Sequence, residues 1–145
     1  MGAGGPIVLF TPGEDDATGN YSNHPSGYCH LGYTGYIFNS TLSGTIAQKL
    51  DGAAVMLEHR FFGESNPYPN ATTQSLEVLT TQQAINDLVY FAQTVDLPMK
   101  NGDQVKPHMV PWILVGGSYP GTARFFISIN TYQVLLQVHS LVSQW

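Results

Sequence analysis

The sequence is poor in charge, cysteine and long apolar runs, and each shortage excludes a class of protein. Charged residues make up 10% of the 145 residues, well below the roughly 25% of a typical soluble domain. Five residues are lysine or arginine and the net charge is −5, so no basic surface suits a nucleic acid. No apolar run approaches the roughly 18 residues that span a bilayer. We therefore expect neither a nucleic-acid partner nor a membrane partner.

Cys29 is the single cysteine, so the sequence predicts no internal disulfide and no cysteine-based metal site. We expect no metal and no cofactor. The first ten residues, MGAGGPIVLF, lack the basic region and long apolar region of a secretory signal peptide. Three N-glycosylation sequons nevertheless begin at Asn20, Asn39 and Asn70, all in segments with loop composition. They favour a secreted or vacuolar parent protein, and we expect these asparagines to carry glycans.

Three short apolar runs predict buried parallel strands. They cover residues 6–10, 53–57 and 112–115. Each is continuous and is followed by glycine, proline or charge, as is typical of strands that are buried on both faces of a sheet. Residues 15–39 have the composition of a long surface loop, and residues 100–107 that of a short polar connection.

Helical patterns separate these runs. Apolar residues recur at spacings of three and four at Leu42, Ile46, Ala47 and Leu50, with serine or threonine before them to cap the helix. A second one-sided apolar stripe covers residues 84–92 and ends before Pro98. The order strand, helix, strand, helix, strand predicts an α/β architecture with a doubly wound parallel sheet.

Ligand sites in such sheets lie at the carboxyl ends of the strands, which here lead into TPGED, EHRFFGES and GGSYPG. The last stretch favours a nucleophile elbow, a sharp turn that exposes a serine above the sheet and needs small neighbours. Gly116 provides one small neighbour of Ser118, whereas Pro120 replaces the second glycine of G-x-S-x-G and Gly121 follows it. Proline is tolerated in the first turn of a helix. The alternative is that VGGSYPG is only a flexible turn.

An oxyanion hole would need two backbone donors in this arrangement. Tyr119, the residue after the serine, would offer one N–H group. The second donor would come from the loop after the first strand, around Gly13 and Glu14.

Four collinear blocks resemble one family of serine peptidases. The family includes lysosomal Pro-Xaa carboxypeptidase, dipeptidyl peptidase II and many secreted fungal relatives. The blocks are GGPIVLFTPGE, LEHRFFGESNPYP, LTTQQAINDLVYFAQ and PWILVGGSYPG, which cover nearly all of residues 4–121. The resemblance implies an α/β-hydrolase fold that is partial here, a parallel sheet with flanking helices that ends just after the nucleophile elbow.

The resemblance also implies residue roles. Ser118 would be the nucleophile of a Ser-Asp-His triad, Tyr119 and the loop around Gly13 and Glu14 the oxyanion hole, and a peptide containing proline the substrate. It leaves open removal of C-terminal residues or of N-terminal dipeptides. Structural support would come from Glu58, His59 and Arg60 and from the glycines around the serine, Gly116, Gly117 and Gly121. Arg60 could fork onto Glu58 or Glu64 and fix its loop.

The chain departs from the family after Gly121. No aspartate or glutamate follows Ser118, and His139 is the single histidine after it, whereas the family's acid and base lie far downstream. We expect residues 4–121 to be the N-terminal half of an α/β-hydrolase peptidase domain, and residues 122–145 to be a divergent tail that is truncated or out of frame.

We also expect this polypeptide to be inactive by itself, and its parent to be extracellular, vacuolar or lysosomal. Two alternatives stay open. One is a lipase or esterase on the same fold, and the other is a non-catalytic remnant or interaction module.

Overall fold

The computed structural model describes residues 5–14 and 37–116. Along these residues the elements are β1 (Ile7–Phe10), α1 (Leu42–Lys49), β2 (Ala53–Met56), α2 (Thr81–Thr94) and β3 (Trp112–Val115), with short 3-10 helices at Ser75–Val78 and Gly102–Gln104. The predicted order of strands and helices is confirmed. Within the described part of the chain, no helix is long and apolar enough to cross a membrane.

The three strands form a parallel sheet in the order β2-β1-β3. Ile7 pairs with Ala53 on one side and with Trp112 on the other, and Phe10 pairs with Met56 and Val115. All four residues of β1 are buried, because β1 is the central strand. The prediction that all three strands are buried on both faces is confirmed only for β1. The four residues of β2 are half-buried, as are Ile113 and Val115 on one face of β3. In the described part of the sheet β2 is an edge strand, which leaves its outer side open.

One face of the sheet packs on α2 and forms the main core. Ile7 and Leu9 point to this face with Trp112 and Leu114, and they meet Ile85, Leu88 and Ala92 of α2. Trp112 is 1% exposed, and its indole N–H donates to the carbonyl of Val105 at 2.7 Å. Its ring meets Phe91 edge-on at a centroid distance of 6.3 Å. The indole therefore joins the sheet, α2 and the connection that precedes β3.

α1 contacts β1 and β2 through a face that agrees with the prediction at Ala47 and differs from it at the leucines. The residues that it buries are Ser43, Gly44 and Ala47, whereas Leu42 and Leu50 are 51% and 48% exposed. Gly44 has no room for a side chain, because a Cβ atom there would lie 1.9 Å from the carbonyl oxygen of Phe38, just before the helix. The predicted cap is confirmed at Thr41, whose hydroxyl accepts a hydrogen bond from the Gly44 N–H group.

α2 begins at a second threonine cap. The side chain of Thr80 accepts from the N–H group of Gln83 at 3.2 Å. The helix ends at Thr94, and Val95 is already extended, in agreement with the predicted end before Pro98. A polar connection then leads to β3, where the ammonium group of Lys106 binds the carboxylate of Asp96 at 2.8 Å and the carbonyl of Val95.

Candidate active site

The carboxyl ends of the three strands lie side by side at one edge of the sheet. The N–H group of Thr11 donates to the carbonyl of Val115 at 3.0 Å, and that of Leu57 donates to the carbonyl of Phe10 at 3.2 Å. The chain thus moves from β1 to β2 on one side and then crosses to β3 on the other. Ligand sites in open α/β sheets lie where the strand order reverses in this way. The three stretches singled out in the sequence leave from this edge.

The loop that follows β1 begins between the carboxyl ends of β2 and β3. Thr11 and Pro12 are buried, Gly13 is half-buried and Glu14 is exposed. Gly13 has a φ of 98°, in a region that disfavours side chains, so a glycine fits this turn. Gly13 and Glu14 therefore lie at the edge where the sequence predicts the oxyanion loop.

Glu58 closes the loop that follows β2. One of its carboxylate oxygens accepts from the N–H groups of Glu64 at 3.1 Å and Ser65 at 2.9 Å. The N–H group of Phe61 donates to the carbonyl of Ser65 at 2.9 Å. Phe61 and Gly63 have φ angles of 69° and 52°, so the turn is tight. Glu58 holds a loop in shape here.

Arg60 anchors the same loop to α2. Its Nε and Nη2 atoms donate to the two carboxylate oxygens of Asp87, each at 2.6 Å, and Nη1 donates to the carbonyl of Val78 at 3.0 Å. The hydrogen bond to Asp87 raises the pKa of Arg60, against a smaller lowering by burial. The predicted partners, Glu58 and Glu64, are wrong. The Glu58 carboxylate binds backbone N–H groups of its own loop, and Asp87 presents both oxygens to the planar guanidinium.

Sequence reasoning missed Asp87, although a signal was present. It is the single charged residue of α2, in a chain that uses charge sparingly. An isolated acid on a helix that packs on a sheet is a good candidate partner for a distant arginine. Its spacing of 27 residues from Arg60 gave no local hint.

His59 lies inside this loop. Its Nδ1–H group donates to the carbonyl of Arg60 at 2.8 Å, and its ring packs edge-on against Phe62 at 5.4 Å between centroids. These contacts suit a supporting role for the EHR block. His108, by contrast, is exposed.

β3 ends at Val115, and Gly116, the last residue that the structure describes, is half-buried. Gly117, Ser118, Tyr119 and Gly121 lie outside the described residues, as do Asn20 and His139. β3 nevertheless fixes where the serine segment begins, because the Val115 carbonyl accepts a hydrogen bond from the N–H group of Thr11, at the start of the Gly13 loop.

Two other features lie away from this edge. A cavity of about 620 Å³ runs along the outer side of β2, lined by residues that include Gly44, Ala47 and Ala53–Met56. None of its lining residues belongs to the loops that follow β1 or β2, so this cavity is separate from the candidate site. Within residues 5–14 and 37–116, no group of three histidine, cysteine or acidic side chains could hold a metal ion.

A parallel sheet whose central strand opens a glycine-bearing loop, and whose neighbouring strand runs directly into Gly-Gly-Ser, is the arrangement of an α/β-hydrolase. The structure therefore confirms a partial α/β-hydrolase fold as the class of this protein. The family model of the serine carboxypeptidases S28 matches residues 33–127. The chain belongs to this peptidase family.

Relatives agree with this assignment. Serine protease vicPa of Bipolaris victoriae is 41% identical over 118 residues, which cover 81% of this chain and 20% of that protein. A protein of Arthroderma benhamiae named "Probable extracellular serine carboxypeptidase" is 30% identical, over 81% of this chain and 14% of its own length. Lysosomal Pro-X carboxypeptidase of Mus musculus is 28% identical, over 81% of this chain and 20% of its own length. The chain thus spans about a fifth or less of the length of these relatives.

Proposed function

We propose that this chain supplies the nucleophile and oxyanion loop of a serine exopeptidase that cleaves peptides next to proline. The observation that carries the proposal is the hydrogen bond from the Thr11 N–H group to the Val115 carbonyl. It joins the start of the Gly13 loop to the end of the strand that leads into Ser118. A nucleophilic serine and its oxyanion donors need this proximity.

The chemistry follows from that placement. The Ser118 hydroxyl attacks the carbonyl carbon of the scissile bond. The developing oxyanion accepts hydrogen bonds from the N–H group of Tyr119 and from the loop of Gly13 and Glu14. The Arg60–Asp87 fork holds the adjacent loop still and touches no reacting atom. Gly116, which has no side chain, leaves room for a narrow turn beside the serine.

A base must remove the hydroxyl proton of Ser118 before it can attack. No acidic residue follows Ser118 in this sequence and His139 is the single histidine there. Loss of triad members typically lowers the rate by about 10⁴- to 10⁶-fold. We therefore expect the 145-residue polypeptide alone to react with a fluorophosphonate probe no faster than its Ser118→Ala variant.

Cleavage next to proline is supported by the match to the mouse Pro-X carboxypeptidase and by the four collinear sequence blocks. A lipase or esterase would share the elbow but not the EHRFFGES and TTQQAINDL blocks. The choice between C-terminal and N-terminal cleavage depends on the pocket that receives the free end of the peptide, so substrate pairs blocked at one end distinguish the two.

Secretion, or delivery to a lysosome or vacuole, also belongs to the proposal. Two matched relatives are named extracellular and lysosomal. Asn39 and Asn70 are exposed, as glycan acceptors must be. Expression through a secretory pathway should give a product that loses mass on treatment with an N-glycosidase, and Asn39→Gln and Asn70→Gln should each remove one glycan. An unchanged mass would contradict glycosylation.

A segment exchange tests the catalytic proposal. Residues 5–127 of this chain replace the matching segment of serine protease vicPa, which then supplies the rest of the domain. We expect the exchange protein to cleave peptides next to proline, and to lose this activity with Ser118→Ala. The matched control is Ser40→Ala, in an exposed loop. Hydrolysis of short-chain esters without any cleavage of proline peptides would favour the esterase, and a folded but unreactive exchange protein would favour a non-catalytic module.

A further inference from the structure

The sequon Asn70-Ala71-Thr72 lies in a turn that one buried serine holds together. Ser75 is 9% exposed and begins the 3-10 helix Ser75–Val78. Its hydroxyl accepts from the Thr72 N–H group at 2.7 Å and donates to one of two carbonyls, that of Asn70 at 3.0 Å or that of Thr72 at 2.9 Å. The Thr72 hydroxyl accepts from the Ser75 N–H group at 3.1 Å and donates to the Ser75 hydroxyl at 3.3 Å. Ser75 therefore binds both the first and the third residue of the sequon.

Exposure of the asparagine alone does not make this sequon available. Asn70 is exposed, but the motif requires serine or threonine at its third position, so the enzyme that attaches a glycan must also recognise the Thr72 hydroxyl. In the folded turn that hydroxyl is bonded to Ser75, and the backbone of the sequon bends back to the same side chain. One net hydrogen bond changes an equilibrium by about fivefold. Opening two of these bonds is therefore disfavoured by about 25-fold.

The sequon that begins at Asn39 is held in a different way. The hydroxyl of Thr41 donates to the carbonyl of Phe38 at 2.7 Å and accepts from the N–H group of Gly44 at 3.3 Å, as the N-cap of α1. These bonds go to backbone groups and do not involve Ser75. Asn39 is therefore an internal reference for Asn70 in the same polypeptide.

We propose that the turn of residues 70–75 closes the Asn70 sequon, so that a glycan is attached to Asn70 before the turn forms and only slowly afterwards. Ser75 then sets how fast the folded chain is modified. In the attachment, the amide nitrogen of Asn70 loses a proton to a base of the transferase and bonds the anomeric carbon of an oligosaccharide. The bond from that carbon to a lipid-linked diphosphate breaks, and the lipid diphosphate leaves. The inference rests on the proposed glycosylation of Asn70 and not on the reactivity of Ser118.

The experiment measures transfer by a purified oligosaccharyltransferase from a lipid-linked oligosaccharide. The acceptors are the folded chain of 145 residues and a synthetic peptide of residues 66–78, in which a single turn is not stable by itself. Mass spectrometry gives the initial rate at Asn70. We expect the folded chain to be modified about 25-fold more slowly than the peptide, and equal rates would overturn the proposal. A peptide that is not modified at all would refute Asn70 as a glycan acceptor, and this inference with it, but would leave the catalytic proposal standing.

Ser75→Ala in the full chain tests the role of the serine, because it removes the hydroxyl and leaves the sequon unchanged. We expect it to raise the rate at Asn70 by about 5- to 25-fold and to leave the rate at Asn39 unchanged. Gln74→Ala is the matched control, since Gln74 is the exposed neighbour of Ser75 and its side chain makes no capping hydrogen bond. It should leave both rates unchanged. An unchanged rate at Asn70 in Ser75→Ala would overturn the proposal, as would an equal rise at Asn39, which would indicate general unfolding.

Discussion

Replacing Arg60 by lysine keeps the positive charge but removes the planar fork that grips Asp87. The arginine makes three hydrogen bonds, two to the carboxylate at 2.6 Å and one to the Val78 carbonyl at 3.0 Å. A lysine ammonium group is a single point donor and cannot face both carboxylate oxygens and the carbonyl at once. We therefore expect Arg60→Lys to loosen the loop that follows β2.

The size of the effect follows from burial. The side chain of Arg60 is 17% exposed and that of Asp87 is 41% exposed. Breaking a fully buried pair costs about 3–5 kcal/mol, whereas a surface pair contributes about 0–1 kcal/mol. This pair lies between those limits, so we expect a loss of about 2 kcal/mol in the free energy of unfolding, or about 30-fold in the folding constant. Because its bond to Asp87 raises the pKa of Arg60, the arginine stays charged and its contribution persists through neutral and moderately alkaline pH.

Urea unfolding measures this loss, with an expected fall in the midpoint of about 1 M. Asp96→Asn is the control, because Asp96 is 74% exposed in its pair with Lys106 and its loss should change the free energy by less than about 1 kcal/mol. If Arg60→Lys unfolds at the same urea concentration as the parent chain, the fork does not stabilise the loop and the reasoning fails.

Three further changes should have defined effects. A glycine-to-alanine change stabilises most helices by about 1 kcal/mol. Gly44→Ala should instead destabilise this chain by about 1–3 kcal/mol in thermal unfolding, because the new Cβ would lie 1.9 Å from the Phe38 carbonyl oxygen. An increase in melting temperature would contradict the close approach of Phe38 to Gly44. Trp112→Phe removes the bond to the Val105 carbonyl and should lower the free energy of unfolding by about 2 kcal/mol, whereas no loss would mean that water replaces the indole. Glu58→Ala should speed hydrogen exchange at Glu64 and Ser65, the two amides that its carboxylate binds, with Glu14→Ala in the exposed β1 loop as a control that leaves them unchanged.

The strands and α2 could be predicted from sequence because their signals are local. Residues 112–115 form a continuous apolar run after a proline, and α2 has one apolar stripe, a threonine cap and a proline beyond its end. Each of these features depends on residues that are close in sequence, so it can be recognised without knowledge of distant contacts. The parallel order brings the three carboxyl ends to one edge, as predicted, and the location of the active site at that edge stays a prediction.

The face of α1 could not be predicted by the same means. Of the four residues with helical spacing, Ala47 is buried as predicted, whereas Leu42 and Leu50 are exposed and Ser43 and Gly44 are buried instead. Hydrophobicity favours the leucines, but the Phe38 carbonyl approaches Gly44 too closely for a side chain. Apolar spacing does not record that approach.

The prediction of the partner of Arg60 was wrong for a related reason. Glu58 and Glu64 are near in sequence, but the fold brings Asp87 to the guanidinium from 27 residues away. Features of the site that depend on distant contacts therefore required the structure.

Ser118 is proposed as the nucleophile, and a covalent adduct on its hydroxyl would identify it directly. The exchange protein that carries residues 5–127 is treated with a fluorophosphonate, digested and sequenced by mass spectrometry. We expect one modified serine, Ser118, and no adduct in the Ser118→Ala variant. A folded exchange protein that is modified at another serine of this segment, or that is still labelled after Ser118→Ala, would contradict it.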